Sequence, residues 1–137
     1  MKRKITLTLA MIISLLFLLP SCGKYEEGPG LSLRTKKQRL VGVWTPEKYI
    51  DEDGGEQTAG ENENTYEFTS NNSFIIRGAL GTTNGTWEFV QDKEAVRATY
   101  TVPILGEITN QWRILRLTNS ELWIIDNNDL RIHLVPA

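Results

Sequence analysis

The sequence is 137 residues long and carries 15 Lys and Arg against 17 Asp and Glu, a formal charge of −2. That balance argues against a nucleic-acid partner, which rewards concentrated basic charge. One Cys and one His exclude an intrachain disulfide and a Cys/His zinc site, and the length suits one domain with a modest core.

Lys2, Arg3 and Lys4 form a short basic region, and Ile5 to Leu19 run without a charge. This is the plan of a secretory signal peptide over residues 1–21. The apolar run is short for a membrane span, which needs about 20 residues, and Ser14 and Pro20 interrupt it. Leu19-Pro20-Ser21-Cys22 resembles the lipobox of bacterial lipoproteins, with Leu three residues before the cysteine and a small residue just before it. The resemblance implies cleavage before Cys22, a diacylglycerol on its thiol and acylation of the new amine. The other reading is an ordinary signal peptide with a chance cysteine. Two acyl chains hold a protein to a membrane stably, at about 0.8 kcal/mol per buried methylene. The expected location is the outer membrane, on the cell surface or the periplasmic face. Cleavage removes three basic residues and leaves 12 against 17, a charge of −5. Lipid on Cys22, rather than attraction to anionic lipid, is then the membrane contact.

Residues 22–30 hold three Gly and one Pro after Cys22 and read as a flexible tether. Lys24-Tyr25-Glu26-Glu27 resembles the short acidic signal that sends Bacteroidetes lipoproteins to the cell surface; a merely polar linker is the alternative. Leu31 to Leu40 lack Gly and Pro and are expected to form a short amphipathic helix. Ser32 is its expected cap, although no Glu or Gln follows at the third helical position. Arg34, Lys36, Lys37 and Arg39 read as a solvated face, or as a contact for lipid headgroups or phosphorylated sugars near the anchor.

Eight segments then read as strands: 40–50, 64–70, 73–78, 84–90, 93–102, 110–118, 121–126 and 129–135. Several alternate with period two. Tyr66 and Phe68 share a face, as do Trp87 and Phe89, and as do Val96, Ala98, Tyr100 and Val102. Ser70-Asn71-Asn72, Gly81 to Gly85, Gln91-Asp92, Asn119-Ser120 and Asn127-Asn128 supply the turns. Adjacent strands joined by short turns imply an antiparallel meander, and eight of them can close into a barrel without exposed edges. Alternating turns place the longer connections 51–63, 79–83 and 103–109 at one rim, where they would frame a mouth.

Gly42-Val43-Trp44 resembles the Gly-x-Trp that opens the first strand of lipocalins. Tyr66-Glu67-Phe68, Gly85-Thr86-Trp87-Glu88-Phe89, Trp112-Arg113-Ile114-Leu115-Arg116-Leu117 and Glu121-Leu122-Trp123 follow in an order similar to the lipocalin-like lipoproteins of Bacteroidetes. The resemblance covers about residues 22–135. It implies an all-β fold: an eight-stranded antiparallel up-and-down barrel over residues 31–137, with a short N-terminal helix. Gly42 would bend the chain and Trp44 would plug the closed end. Lipocalins often stack a basic side chain over that Trp, and Arg131 is the residue placed to do so. The family is mostly without assigned activity, so the resemblance carries fold further than function.

No catalytic constellation is visible. His133 lies on a strand opposite the apolar Leu130, Ile132 and Leu134 and reads as a surface or rim histidine. Asp51, Glu52, Asp53 and Glu56 lack the spacing of a calcium loop and read as a solvated turn. No cofactor or metal site is expected. Trp44, Trp87, Trp112 and Trp123 default to core filling; Trp87, Phe89, Tyr100 and Trp112 would offer ligand surface if they point into the barrel. Two readings follow: a membrane-anchored barrel binding a small apolar or amphipathic ligand without catalysis, or a filled barrel whose rim loops dock an envelope protein.

Overall fold

Alternation of inward and outward side chains organises residues 33–137, which are those the computed structural model describes. The expected signal peptide, Cys22, the expected tether with Lys24 to Glu27, and Ser32 lie outside the described residues. A helix α1 (Lys36–Leu40) precedes nine strands: β1 (Gly42–Ile50), β2 (Glu56–Thr58), β3 (Thr65–Phe68), β4 (Ser73–Gly78), β5 (Gly81–Val90), β6 (Ala95–Val102), β7 (Gly106–Leu117), β8 (Leu122–Ile125) and β9 (Arg131–Pro136). All neighbours pair antiparallel, and β1 pairs with β9, so β1 and β3 to β9 close an eight-stranded barrel. Closure satisfies the edges that an open sheet would present.

Strand β1 serves two partners on one edge. Gly42–Trp44 pair with β3, while Lys48–Ile50 pair with the added strand β2. Between them lies Pro46, which has no N–H to donate. The β1–β9 ladder shifts register there, between Pro46 and Lys48, as expected for proline inside a paired strand. Gly85 marks another bend: a Cβ there would meet the Thr99 carbonyl oxygen at 2.1 Å, so the close approach of β5 to β6 requires glycine.

Several boundaries differ from the sequence reading. Residues 51–63 are not a plain loop, because Asp51 closes a turn that sends the chain back as β2. Its backbone N–H donates to the Gly55 carbonyl at 3.0 Å, its carboxylate accepts from the Gly55 N–H at 2.6 Å, and Gly54 takes φ +85°. Strands β5 and β7 begin at 81 and 106 rather than 84 and 110. Gly78 pairs with Gly81 and Val102 with Gly106, so the expected long loops are hairpins that rise above the rim. Strand β6 starts at Ala95, because Gln91, Asp92 and Lys93 all adopt left-handed φ in the preceding turn.

Turns 69–72, 91–94 and 118–121 lie at one end, and α1 closes it. The helix spans only 36–40, and its cap is Thr35 rather than Ser32. The Thr35 hydroxyl accepts from the Gln38 N–H at 3.1 Å, and the Gln38 side chain accepts from the Thr35 N–H at 2.9 Å. This reciprocal box stabilises a helix too short to persist alone. Leu40 is fully buried, and its carbonyl accepts the Trp44 indole N–H at 2.8 Å. Lys37 donates to Asn72 at 2.8 Å and lies 5.6 Å over the Trp87 ring. Arg39 is neither solvated nor free for headgroups. It is buried, and its guanidinium donates to the Leu117 carbonyl at 2.7 Å. Arg131 pairs with Ile50, whereas Trp44 pairs with Pro136. Six residues of β1 separate the two positions, about 20 Å at 3.3 Å per residue. The buried basic side chain at the plugged end is therefore Arg39, not Arg131.

Candidate ligand-binding cavity

Inward positions converge on a cavity of about 790 Å³, within the range of about 300–1,000 Å³ usual for small-molecule sites. It opens between the hairpin tips, at the end opposite α1. Period two along each strand selects the lining: Tyr66 and Phe68 from β3, Phe74 and Ile76 from β4, Val96, Tyr100 and Val102 from β6, Asn110 and Trp112 from β7, Leu122 and Ile124 from β8, and Ile132 and Leu134 from β9. Phe74 is buried at the centre of an aromatic group, with ring centroids 6.3 Å from Tyr66, 5.0 Å from Phe68, 5.9 Å from Tyr100 and 6.3 Å from Trp112. Such tilted and offset pairs hold a rigid apolar floor.

Of the residues expected to offer ligand surface, Tyr100 and Trp112 line the cavity and Trp87 and Phe89 do not. Strand β5 runs from the mouth at Gly81 toward the plugged end, so Trp87 and Phe89 sit on its lower half. Trp87 meets Phe68 and Phe89 edge-on at 5.7 and 5.4 Å and donates to the Thr69 carbonyl at 3.0 Å. Its ring is core beneath the helix. Gly42 takes φ +156° just before the buried Trp44.

Polar groups gather toward the mouth: Tyr49, Tyr66, Tyr100, Asn62, Asn64, Asn110, Thr82 and Thr83. Local pattern does not single out most of them, because Asn62 lies in the acidic stretch 51–63, Asn64 opens the segment 64–70, and Thr82 and Thr83 fall in the expected connection 79–83. Stepping back by two from Trp112 along β7 identifies Asn110. The Asn110 amide donates to the Tyr100 hydroxyl at 2.8 Å. Tyr49 donates to the Glu63 carboxylate at 3.0 Å. Burial first, and then that bond, push the Tyr49 phenol up to about 12. Burial also raises Tyr66 and Tyr100, against the lowering effect of their bonds to Asn64 and Asn110. All three phenols therefore stay protonated at neutral pH. Asn64 reaches over Gly78, where a Cβ would meet its side-chain oxygen at 1.8 Å.

Two other expected positions fall outside the barrel wall. His133 faces away from the cavity, as the alternation predicts, but it is buried rather than open. Trp123 lies flat on it at 4.1 Å, and the Arg116 guanidinium lies over the Trp123 ring at 5.2 Å. Trp123 is thus an outer-face residue and not core filling. Among the described residues, no three His, Cys, Asp or Glu side chains come together in a metal-sized group.

No protein-family model matches the chain, and no curated protein does. Solved structures do. A lipocalin-like protein from Bacteroides uniformis is similar at 17% identity and TM-score 0.55, over 72% of this chain and 99% of that one. An uncharacterized protein from Bacteroides eggerthii is similar at 14% identity and TM-score 0.54, over the same shares. A structure of an LTBP1 LTC4 complex is similar at 11% identity and TM-score 0.56, over 84% of this chain and 81% of that one. These likenesses show a fold: the chain is a closed, eight-stranded, lipocalin-like barrel.

Proposed function

We propose that this protein is an envelope lipoprotein, held at the outer membrane by acyl groups on Cys22, whose barrel binds a small apolar or amphipathic molecule without chemical change. The observation that carries the binding role is the apolar cavity of about 790 Å³ open at one rim, since an interior filled by its own side chains would leave no such space. The complex named for the LTBP1 structure is consistent with a barrel of this shape holding a ligand. The tether would join the barrel through α1, at the end opposite the mouth, which leaves the cavity open when the chain is anchored. Titration with the neutral fluorophore N-phenyl-1-naphthylamine tests the binding role. Saturable enhancement at one probe per chain is expected, and no enhancement would sink it.

The anchor rests on Leu19 to Cys22. Labelled palmitate is expected to enter the wild-type protein, and Cys22→Ser to remove the label entirely; label retained in that variant would refute the assignment. Surface display rests on Lys24 to Glu27, and protease added to intact cells should then remove the barrel.

One observation favours a second role for the rim. Leu80 at the β4–β5 tip and Ile104 and Leu105 at the β6–β7 tip are exposed aliphatic side chains. An apolar rim suits docking of an envelope protein. Changing Ile104 and Leu105, which do not line the cavity, to Ser should then abolish crosslinking to that partner in cells while probe binding persists; unchanged crosslinking would dismiss the docking role.

A further inference from the structure

Among the described residues, the lining of the cavity carries no formal charge at neutral pH: none of those that face it is Asp, Glu, Lys, Arg or His. The cations on the same strands turn outward. Lys48 pairs with Glu56 at 3.2 Å and Arg77 with Glu67 at 2.6 Å on the outer face. What the mouth offers instead is a belt of phenols and amides. The Tyr100 hydroxyl accepts from Asn110 and the Tyr66 hydroxyl is bonded by Asn64. Each phenol that accepts from an amide keeps its own O–H to donate inward. Glu63 sits at the edge of this belt: its carboxylate accepts from Tyr49, and its charge also raises Tyr66.

We infer, on the basis of the ligand-binding role proposed above, that the cavity selects uncharged amphiphiles: an aliphatic or ring-shaped body ending in a hydroxyl, ester or amide oxygen. The physical reason is desolvation. A neutral oxygen leaving water needs one hydrogen bond in return, and the phenols supply it. A carboxylate leaving water needs a countercharge, and the site offers none. Glu63 adds repulsion at the entrance. A cation would meet Glu63 favourably at the rim but find no partner deeper in.

The test uses the chain from residue 22 onward with Cys22→Ser, and competition against N-phenyl-1-naphthylamine by dodecanol and by dodecanoate at about pH 8, where the acid is ionised. Dodecanol is expected to displace the probe at concentrations at least about tenfold lower than dodecanoate. Asn62→Lys, on the exposed mouth loop, should bring the acid to within about threefold of the alcohol by supplying the missing charge. Thr82→Lys serves the same purpose from the β5 side should the first variant fail to fold. Equal or tighter binding of dodecanoate to the parent protein would overturn the inference and leave the binding role intact. A preference for the alcohol that neither lysine alters would overturn the charge argument. Failure of the probe itself to bind would instead overturn the binding role on which the inference rests.

Discussion

Replacing Ile76 and Ile132 together by Trp is expected to abolish binding of N-phenyl-1-naphthylamine while the barrel stays folded. Both residues line the cavity, from β4 and β9, and both are only partly buried. In a close-packed core, extra volume forces side chains off their rotamers and typically costs about 1–3 kcal/mol per site. In an open cavity the indoles enter vacant space and bury apolar surface, which stabilises by about 25 cal/mol per Å². The expected result is therefore a midpoint of thermal unfolding within about 5 °C of the parent or above it, with no probe binding. A midpoint lower by about 10 °C or more with binding retained would mean that these positions are packed core.

Trp44→Ala carries the largest expected loss of stability, about 3–5 kcal/mol. The indole is 2% exposed and closes the end of the barrel under α1. Removing it empties the plug and leaves the Leu40 carbonyl without its indole partner, now held at 2.8 Å. Such a loss is a large share of the roughly 5–15 kcal/mol that holds a domain together, so guanidinium unfolding should begin at a much lower concentration. Arg39→Ala should follow at about 1–3 kcal/mol, because the Leu117 carbonyl loses its buried donor. Arg131→Ala should leave the fluorescence of Trp44 unchanged, because Arg131 pairs with Ile50 at the far end of β1. A loss below about 1 kcal/mol for Trp44→Ala would show that the plug is dispensable.

The parts of this fold legible in the sequence are those where one face of a strand must be apolar. Tyr66 with Phe68, and Val96, Ala98, Tyr100 and Val102, alternate because they face the interior, and their strands follow directly. Strand β2 hides because Glu56, Gln57 and Thr58 are exposed, so no face imposes a pattern. The upper parts of β5 and β7 hide for a related reason. Thr82 to Asn84 and Glu107 to Thr109 stand above the core, and only their cross-strand pairing shows that they are extended. The helix start is carried by Thr35-Lys36-Lys37-Gln38, a spacing that Ser32 lacks. The basic residue buried at the plugged end is set by register, which is long-range information: Arg39 comes from the helix and Arg131 lies six β1 positions from Trp44.

The cavity follows a different logic. Period two identifies which side chains point inward, but whether they meet depends on barrel radius and on the summed volume of opposing residues. Trp112 and Tyr100 flank space, whereas Trp87 packs against Phe68 and Phe89, and nothing local to either pair distinguishes them. The absence of charge from the lining is equally a property of the closed barrel, because Lys48 and Arg77 sit next to lining residues in the chain and are turned outward by one residue of alternation.

The central claim, that the barrel holds one small molecule in its cavity, is tested most directly by native mass spectrometry of the protein purified from the cells that make it, under conditions that retain ligands. A single mass increment is predicted, removable by organic extraction and missing from the Ile76→Trp, Ile132→Trp protein. A bare protein mass would contradict the claim.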